Sequence, residues 1–476
     1  MNARRFIFAL PLAASYNYGA AQSVTDVVPR DPTRSGLVRI YGSNLGSPTT
    51  SRVFLTQLSG SRSSSRVTIS VHIASWRTDL IEFYVPESVQ PQTTGLFLGT
   101  PGGNIPLGTL QIRSRDPGTG RFMWRFQAAD QYIITRPAIG PDGTVYALGN
   151  FGHLYALAPD GGLKWLWSNG VDGTVDVGAN GTIYCAGGGG VQAFSPDGTR
   201  LWQYTLNSAI LAGPSVGPDG NVYAVDNSRW SANSTGAVVL SPSGQELWSG
   251  GVFYQRGGTH QTEVQFDQNH AYVWCEGDAA TGAIAGLHAI QLGGGMDWLN
   301  GNIVGFQSSS YATGGVVAHG TSTTQRMATN GNLLWSFDLW SIGGFQPKGD
   351  VVSAPDGGAY FLTTARMNAL NANGSLRFSN PISGVVNNLT RKPDNSLFLL
   401  QKSANFGQPF RIEAYGAANG AFLWASDYFP IEFGTTITVW NRMKFTADGN
   451  TVYFGTAGPM TGINTAHCYV YGMDAR

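Results

Sequence analysis

Short runs of alternating apolar and polar residues dominate the chain from about residue 120 onward, and turn residues interrupt them at regular distances. Within this part, eight pairs of a glycine and a large aromatic residue four positions later recur at intervals of 37 to 50 residues. The pairs are Gly120/Trp124, Gly161/Trp165, Gly198/Trp202, Gly244/Trp248, Gly294/Trp298, Gly331/Trp335, Gly374/Phe378 and Gly420/Trp424. Successive aromatics are 41, 37, 46, 50, 37, 43 and 46 residues apart. A constant inner spacing inside a varying outer period predicts one repeated unit whose connecting loops differ in length.

A second turn signal lies upstream of the aromatic in most repeats. It is Asp-Gly or a close variant, at residues 142–143, 180–181, 219–220, 356–357, 394–395 and 448–449. Such pairs tolerate positive φ and predict two-residue type I′ hairpins. A strand-like run follows each turn, as at 144–148, and a third run such as 153–157 comes after it. Each repeat therefore predicts four antiparallel strands, which is typical of one β-propeller blade.

The two ends of the repeat region complement each other. The last repeat, 443–473, supplies three strands before the chain stops at Arg476. Its missing glycine-to-tryptophan strand is present at the other end, as residues 120–124. We therefore predict eight blades, with the N-terminal strand completing the last one. Closure of this kind leaves no exposed sheet edge at which the ring could open.

The chain before the repeats has a different character. Arg4 and Arg5 precede an apolar run at 6–14, and small residues follow at 19–21, an order that predicts an export signal over residues 1–21. Residues 22–113 contain strand-like runs at 24–29, 36–46, 67–73, 80–86, 94–99 and 107–112. About six short strands in this length predict a small β-sandwich. The predicted fold is all-β, with an immunoglobulin-like β-sandwich at 22–113 and an eight-bladed β-propeller at 114–476.

The segment 22–113 and the repeat region each resemble a known family. An early Pro29, a strand and turn rich in glycine and asparagine at 36–46, and a strand ending in Val85-Pro86 resemble the immunoglobulin-like IPT/TIG domain. That resemblance implies a spacer or adhesive module. The order of Tyr155, Leu157, a turn, a glycine and Trp165 resembles the pyrroloquinoline-quinone (PQQ) type of propeller repeat. That resemblance implies either a quinoprotein dehydrogenase or a non-enzymatic relative that assists outer-membrane assembly.

The composition limits the classes of partner. The chain has 29 Lys plus Arg and 29 Asp plus Glu, hence a formal charge of zero. Nucleic acids and acidic membranes therefore lack the broad electrostatic attraction that they usually exploit. Charged residues make up only 12% and glycine reaches 64 of 476 residues, as in turn-rich all-β proteins. No run after the signal approaches the roughly 18 apolar residues that span a bilayer.

The resemblance to quinoprotein dehydrogenases makes demands that the sequence does not meet. Those enzymes carry two adjacent cysteines, a calcium site of Glu, Asn and Asp, and an aspartate base. Here Cys185, Cys275 and Cys468 lie in different repeats, and we expect buried unpaired thiols, with one disulfide and one free thiol as the alternative. The histidines are scattered without metal-ligand spacing.

Enlarged loops carry the candidate binding residues. The third blade has an added loop at 227–236, and the fourth has inserts at 254–270 and 276–285. Because binding functions concentrate on loops of rigid scaffolds, Trp230, His260 and Glu263 are the predicted ligand-binding residues. No catalytic, cofactor-binding or metal-binding residue is predicted.

The favoured hypothesis is an exported, non-catalytic binding or scaffold protein that contacts a protein or a glycan through propeller loops. It would work as a monomer in the periplasm, on the cell surface or outside the cell, without a cofactor. The alternative is a PQQ-dependent dehydrogenase with a divergent site, which would need the quinone and calcium. A polysaccharide-degrading propeller would need two carboxylates about 5–10 Å apart in one cleft, which a sequence cannot locate.

Overall fold

A computed structural model describes most of the chain. The described residues are 23–28, 30, 32, 37–58, 66–86, 89–90, 92–112, 121–130, 133, 136–206, 210–227, 235–251, 264–275, 286–301, 308–312, 314–342, 347–363, 366–382, 385–402, 410–426, 443–456 and 468–475. Contacts divide the chain into two compact units. The first is Met1–Pro117 with Phe122–Arg125, and the second is Gly118–Arg121 with Phe126–Arg476. The predicted signal lies outside the described residues, and the boundaries 1–21, 22–113 and 114–476 stay predictions.

The first unit contains two antiparallel sheets that share one apolar core. Its strands are β1 (Ser23–Val28), β2 (Leu37–Ser43), β3 (Arg52–Leu58), β4 (Arg66–Ser70), β5 (His72–Trp76), β6 (Leu80–Tyr84), β7 (Thr93–Thr100) and β8 (Gly103–Gln111). The strand orders are β1-β2-β6-β5 and β4-β3-β7-β8. Ile40 and Phe83 of one sheet pack in the same core as Leu55 and Leu96 of the other. Six of the eight strands correspond to predicted runs.

The remaining two strands were not predicted. β3 carries three consecutive buried apolar residues, Val53, Phe54 and Leu55, so the alternation that identifies a half-buried strand is missing. The run predicted as one strand at 67–73 covers two strands, because the chain leaves one sheet after β4 and enters the other as β5. The change falls at Val71, between the two strands. The IPT/TIG assignment of this unit stays a prediction.

Strand β9 (Arg121–Ala128) begins a succession of eight four-stranded sheets in the described residues. Sheets 1 to 4 consist of β10 (Ala138–Ile139), β11 (Val145–Leu148), β12 (Leu154–Leu157) and β13 (Leu163–Trp167); β14 (Val171–Val177), β15 (Ile183–Gly187), β16 (Gly190–Phe194) and β17 (Arg200–Thr205); β18 (Ile210–Val216), β19 (Val222–Asn227), β20 (Thr235–Leu240) and β21 (Glu246–Gly251); and β22 (Gln265–Phe266), β23 (His270–Cys275), β24 (Gly286–Gln291) and β25 (Met296–Asn300).

Sheets 5 to 8 repeat the same up-and-down order. They consist of β26 (Ser308–Ala312), β27 (Gly315–His319), β28 (Thr323–Ala328) and β29 (Leu333–Asp338); β30 (Pro347–Ser353), β31 (Ala359–Thr363), β32 (Arg366–Leu370) and β33 (Leu376–Pro381); β34 (Val385–Arg391), β35 (Leu397–Lys402), β36 (Phe410–Tyr415) and β37 (Phe422–Ala425); and β38 (Lys444–Phe445), β39 (Thr451–Gly455), β40 (Cys468–Asp474) and β9. A 3-10 turn at Leu339–Ile342 follows β29. Strand β9 thus joins the last sheet beside β40, where the sequence places it.

Consecutive sheets pack on one another along the whole succession. Six apolar clusters each combine residues of two neighbouring sheets, from sheets 1 and 2 to sheets 6 and 7. Phe398 of sheet 7 meets Phe445 of sheet 8 edge to face, with 4.8 Å between the ring centres. Ile133 follows β9, donates its N–H to the carbonyl of Thr456 at 3.1 Å and forms a bridge with Gly149. The predicted all-β class is confirmed, while the number of blades in a closed ring stays a prediction.

The glycine and the aromatic of the repeat serve one contact between neighbouring sheets. A Cβ atom on Gly198 would lie 2.8 Å from the ring of Trp165, the aromatic of the preceding repeat, and the φ of Gly198 is +89°. Glycine is required because the ring occupies the place of a side chain and the backbone is left-handed. The Nε1–H of Trp165 donates to the carbonyl of Pro196 at 2.8 Å. The same glycine contact recurs at Gly244/Trp202, Gly294/Trp248, Gly331/Trp298, Gly374/Trp335 and Gly420/Phe378.

The hairpin turns differ from the predicted type I′. In the first repeat Gly143 donates its N–H to the carbonyl of Gly140, and Gly140 donates to the carbonyl of Thr144 at 2.8 Å. Gly143 alone among the three loop residues 141–143 has positive φ. Pro141 fixes a negative φ, and the Asp142 carboxylate accepts the Thr144 N–H at 3.0 Å. The prediction is therefore wrong, since this turn and those at 180–181, 219–220, 356–357 and 394–395 are three-residue loops that end in a left-handed residue, while the loop at 447–450 has four residues.

Candidate functional site

The residues predicted to bind a ligand, Trp230, His260 and Glu263, lie outside the described residues. The structure neither brings them together nor separates them, and their role stays a prediction. The described residues do offer other groups with functional chemistry. These are a buried aspartate at the junction of sheets 8 and 1, a set of buried polar side chains in the third strands, and an exposed apolar set on the fourth strands.

Asp130 follows β9 and is fully buried. One carboxylate oxygen accepts the N–H of Phe151 at 2.6 Å. The other oxygen accepts the hydroxyl of Tyr155 at 2.5 Å and lies 2.8 Å from Nδ1 of His153. The carbonyl of Asp130 accepts the N–H of Cys468 at 3.3 Å. One aspartate therefore joins the start of the repeat region to sheet 1 and to the last sheet.

The electrostatics of this cluster favour a structural role. Burial, followed by the hydrogen bond to Asp130 and the charge of that residue, raises the pKa of Tyr155 far above its ordinary value. Burial and then the Asp130 charge also raise the pKa of the Cys468 thiol. A thiol is nucleophilic only as the thiolate, so Cys468 is unreactive at neutral pH. The cluster contains the residue types of a catalytic triad, namely Asp130, His153 and Cys468. Its hydrogen bonds hold neighbouring segments together, and we call it the Asp130 clamp.

A comparable aspartate lies in the turn of sheet 4. Asp267 accepts the hydroxyl of Tyr272 at 2.5 Å and the N–H groups of Asn269 and His270 at 2.6 Å each. Burial alone would raise the pKa of Asp267, but these hydrogen bonds outweigh it and lower the pKa below its ordinary value. The hydroxyl of Tyr223 likewise donates to a turn aspartate in sheet 3. Recurrence in successive sheets indicates that such pairs stabilise turns.

The third strands of sheets 1 to 7 share one buried position that is polar in six of the seven sheets. The position directly precedes the residue opposite the repeat aromatic, for example Gln192 before Ala193, which pairs with Trp202. It is occupied in sheets 1 to 7 by Tyr155, Gln192, Val238, His288, Gln325, Asn368 and Glu413, all of them buried. A polar residue inside an otherwise apolar strand was the available signal. Six polar residues in seven sheets give the sheets specific pairing at a cost in desolvation.

His288 occupies this position in sheet 4, and His319 is also buried, in sheet 5. Neither ring nitrogen of His288 has a hydrogen-bond partner in the described part of the chain, and Nε2 of His319 has none there either. Burial lowers the pKa of His288 to about 4 and that of His319 to about 3. Both rings are therefore neutral in the folded protein at any pH above about 5.

These histidines predict a loss of stability in acid. Since their folded pKa values lie below the ordinary 6.5, both histidines are neutral in the folded and unfolded states above that pH, and stability falls as the pH drops from 6.5 toward 4. Between pH 7.5 and 4.5 we expect His288→Leu to remove about 2–3 kcal/mol of the pH-dependent loss. Urea unfolding of the variant and the wild type at both pH values measures this. Equal pH dependence in the two proteins would contradict it.

Large apolar side chains are exposed on the fourth strand of each of sheets 1 to 7. This fourth-strand apolar set consists of Leu163, Leu166, Leu201, Leu247, Met296, Leu299, Leu333, Leu334, Leu376, Phe422 and Leu423. The fourth strand is the edge of its sheet, because the strand order ends there. Single exposed leucines are ordinary on protein surfaces, whereas exposed apolar side chains that recur at the same place in successive sheets indicate a contact with a partner.

Trp340 lies directly after the fourth strand of sheet 5 and is 69% exposed. The backbone N–H of Trp340 donates to the carboxylate of Asp338 at 2.9 Å, and Ser341 Oγ donates to the carbonyl of Asp338 at 2.6 Å. The preceding Leu339 is buried in the core between sheets 5 and 6. The backbone that carries Trp340 is therefore held on both sides. An exposed tryptophan on a hydrogen-bonded turn has the residue type that dominates interface hot spots.

The alternative hypothesis requires a calcium site and two adjacent cysteines. The described residues contain no group of three or more His, Cys, Asp or Glu side chains that could hold a metal ion. The three cysteines of the sequence are not adjacent, so the disulfide ring of the quinoprotein dehydrogenases cannot form from neighbouring residues. In the same residues, no helix is long and apolar enough to cross a membrane.

These features define an all-β protein built from repeated four-stranded antiparallel sheets of the propeller type. Residues 109–328 match the profile of a PQQ-repeat family described as outer membrane protein assembly factor BamB. The predicted PQQ-type repeat is thus confirmed for this part of the chain. No curated protein matches the chain.

Solved structures with a similar fold include three from different organisms. BamB from Moraxella catarrhalis is 14% identical, with 69% of this chain and 90% of that chain covered and a TM-score of 0.43. Apo AztD from Citrobacter koseri is 12% identical, with 69% and 88% covered and a TM-score of 0.45. The WD40 domain of Pan2 from Neurospora crassa is 10% identical, with 64% and 89% covered and a TM-score of 0.40.

Proposed function

We propose that this protein is an exported, non-catalytic scaffold whose second unit binds another protein. In this proposal the eight sheets are the blades of a closed propeller, and an IPT/TIG-like sandwich precedes it. The protein is a monomer before it meets its partner, uses no cofactor, and acts in the periplasm, on the cell surface or outside the cell. Export rests on the basic, apolar and small residues of 1–21.

The fourth-strand apolar set is the observation that carries the proposal. Eleven large apolar side chains are exposed on seven successive sheet edges, and covering them with another protein removes apolar surface from water. Tryptophan dominates binding energies at protein interfaces, so Trp340 with Leu333 and Leu334 is the proposed centre of contact. A protein partner agrees with the description of the matching family as an assembly factor.

A photo-crosslinking residue introduced in place of Trp340 tests the proposal. In cells that export the protein, we expect one protein to be crosslinked at position 340 and not at Asp160, an exposed turn position in sheet 1. The identified protein, once purified, should bind the wild type at least about tenfold more tightly than the Leu333→Ser/Leu334→Ser variant, because two apolar contacts are lost. The matched control is Leu58→Ser/Val67→Ser, two exposed apolar residues of the first unit that lie outside the fourth-strand apolar set, and it should bind like the wild type.

Two outcomes would contradict the proposal. One is the absence of any crosslinked protein at position 340 in a folded, exported chain. The other is saturable binding of pyrroloquinoline quinone in the presence of calcium, measured by absorbance titration, together with dye-linked oxidation of alcohols or sugars. The second outcome would support the dehydrogenase hypothesis instead.

A further inference from the structure

An open groove of about 430 Å³ lies in the first unit, beside the sheet β4-β3-β7-β8. It is lined by the loop before β3, the first residue of β3, the end of β7 and the turn into β8. The lining residues are Pro48, Thr49, Thr50, Ser51, Arg52, Gly99, Thr100, Pro101 and Asn104. One of them is cationic and none is anionic. The others offer hydroxyl and amide groups or are small.

Three neighbouring strands form the floor of this groove. Arg52 of β3 lies opposite Gly99 of β7, and Gly99 lies opposite Asn104 of β8. A Cβ atom on Gly99 would lie 3.3 Å from Nε of Arg52 and 3.3 Å from Oδ1 of Asn104. The absence of a side chain at Gly99 therefore lets the arginine and the asparagine approach each other from the two sides. The guanidinium of Arg52 and the amide of Asn104 therefore lie on either side of Gly99.

The guanidinium of Arg52 lies against an aromatic ring and has no carboxylate partner among the described residues. Its central carbon lies 5.4 Å from the ring centre of Phe54, and that ring stacks on Phe97 with 5.3 Å between centres. Such a cation–π contact restricts the side chain. Arg52 forms no ion pair within the described residues of either unit. An exposed, oriented arginine without a carboxylate matches the bidentate geometry of an incoming carboxylate.

The hydroxyl groups at the rim add a second recognition element. The hydroxyl of Ser47 lies 2.8 Å from that of Thr49 and 3.1 Å from that of Thr50, which orders the loop. Thr100 Oγ1 donates to the carbonyl of Gly103 at 3.0 Å and holds the opposite turn. Ser51 is buried, and its hydroxyl has no hydrogen-bond partner among the described residues. Ordered hydroxyls and an amide are the groups that hydrogen-bond sugar hydroxyls.

We propose that this groove binds a sugar that carries a carboxylate, such as a uronate residue of an acidic polysaccharide. The carboxylate pairs with Arg52, and the sugar hydroxyls bond to Asn104 and the rim threonines. The open shape admits a chain that continues in both directions, and the volume is within the range of small-ligand sites. The site belongs to the first unit, so it is independent of the protein contact proposed for the second unit.

Isothermal titration of the full chain with tetragalacturonate tests this inference. The same oligomer with its carboxylates methyl-esterified is the matched ligand control. We expect saturable binding of the acid form and at least about tenfold weaker binding of the ester, because the charge-assisted hydrogen bonds are lost. Arg52→Gln should weaken the acid form by a similar factor. Arg66→Gln, an exposed arginine at the start of β4 and away from the groove, should bind like the wild type.

Three results would overturn the inference. They are no saturable heat with a protein that unfolds at its normal temperature, equal affinity for acid and ester, or unchanged affinity in Arg52→Gln. Inorganic phosphate serves as a further probe. If phosphate binds as tightly as the oligomer and competes with it, the groove is a simple anion site and the sugar specificity is wrong.

Discussion

Replacement of Trp124 by alanine is expected to lower the free energy of unfolding by about 3–5 kcal/mol. Trp124 is on β9, the strand that completes sheet 8, and it is only 1% exposed. Its loss leaves a large cavity beside β9. Urea unfolding followed by tryptophan fluorescence measures the change. Hydrogen exchange of the amides of β40, the neighbouring strand, should become faster in the variant.

Trp340→Ala is the matched control, because it removes the same side chain from an exposed position. Its expected effect on stability is within about 0.5 kcal/mol. If Trp124→Ala were no more destabilising than this control, and if exchange in β40 were unchanged, β9 would not stabilise sheet 8. The scheme in which an N-terminal strand completes the last sheet would then be wrong.

Asp130→Ala is expected to cost about 3–5 kcal/mol as well, for an electrostatic reason. The carboxylate accepts hydrogen bonds from Phe151 and Tyr155 and pairs with His153. Removing it leaves these buried donors without a partner, and each such group costs about 1–3 kcal/mol. Thermal and urea unfolding measure the loss. Asp130→Asn should lose less, since the amide oxygen still accepts one donor.

Asp160→Ala is the control for this prediction. Asp160 is an exposed turn aspartate that accepts the N–H of Gly162 at 3.1 Å, and its loss should cost less than about 1 kcal/mol. A loss for Asp130→Ala that is no larger than that for Asp160→Ala would contradict the clamp. Because the clamp joins sheets 1 and 8, its failure would also weaken the case for a closed ring.

Much of the fold was predictable because it depends on local signals. Alternating runs, turn residues and the spacing from Gly120 to Trp124 placed β9 in the last sheet before any contact was visible. The prediction of the turn type is wrong for a local reason too, since Pro141 and the Asp142 carboxylate stabilise a three-residue loop. β3 was not predictable because three successive buried apolar residues interrupt the apolar–polar alternation of a half-buried strand.

The candidate site was much less predictable. Loop length is the signal that predicts Trp230, His260 and Glu263, and these residues lie outside the described residues. Arg52 carried no signal in the sequence, because its meaning depends on Gly99 and Asn104 in two other strands. The fourth-strand leucines resemble core positions in a sequence. Only the strand order shows that they lie at sheet edges.

The sequence by itself determined that the chain is all-β and built from a repeated unit of strands, and it placed β9 beside β40 in the last four-stranded sheet of the described residues. Those properties follow from periodicity and turn residues, which act over a few residues. The tertiary structure decided which surfaces meet. It set each glycine on the tryptophan of the preceding repeat and joined Asp130 to His153, Tyr155 and Cys468. Such contacts join residues far apart in the chain, and no local pattern specifies them.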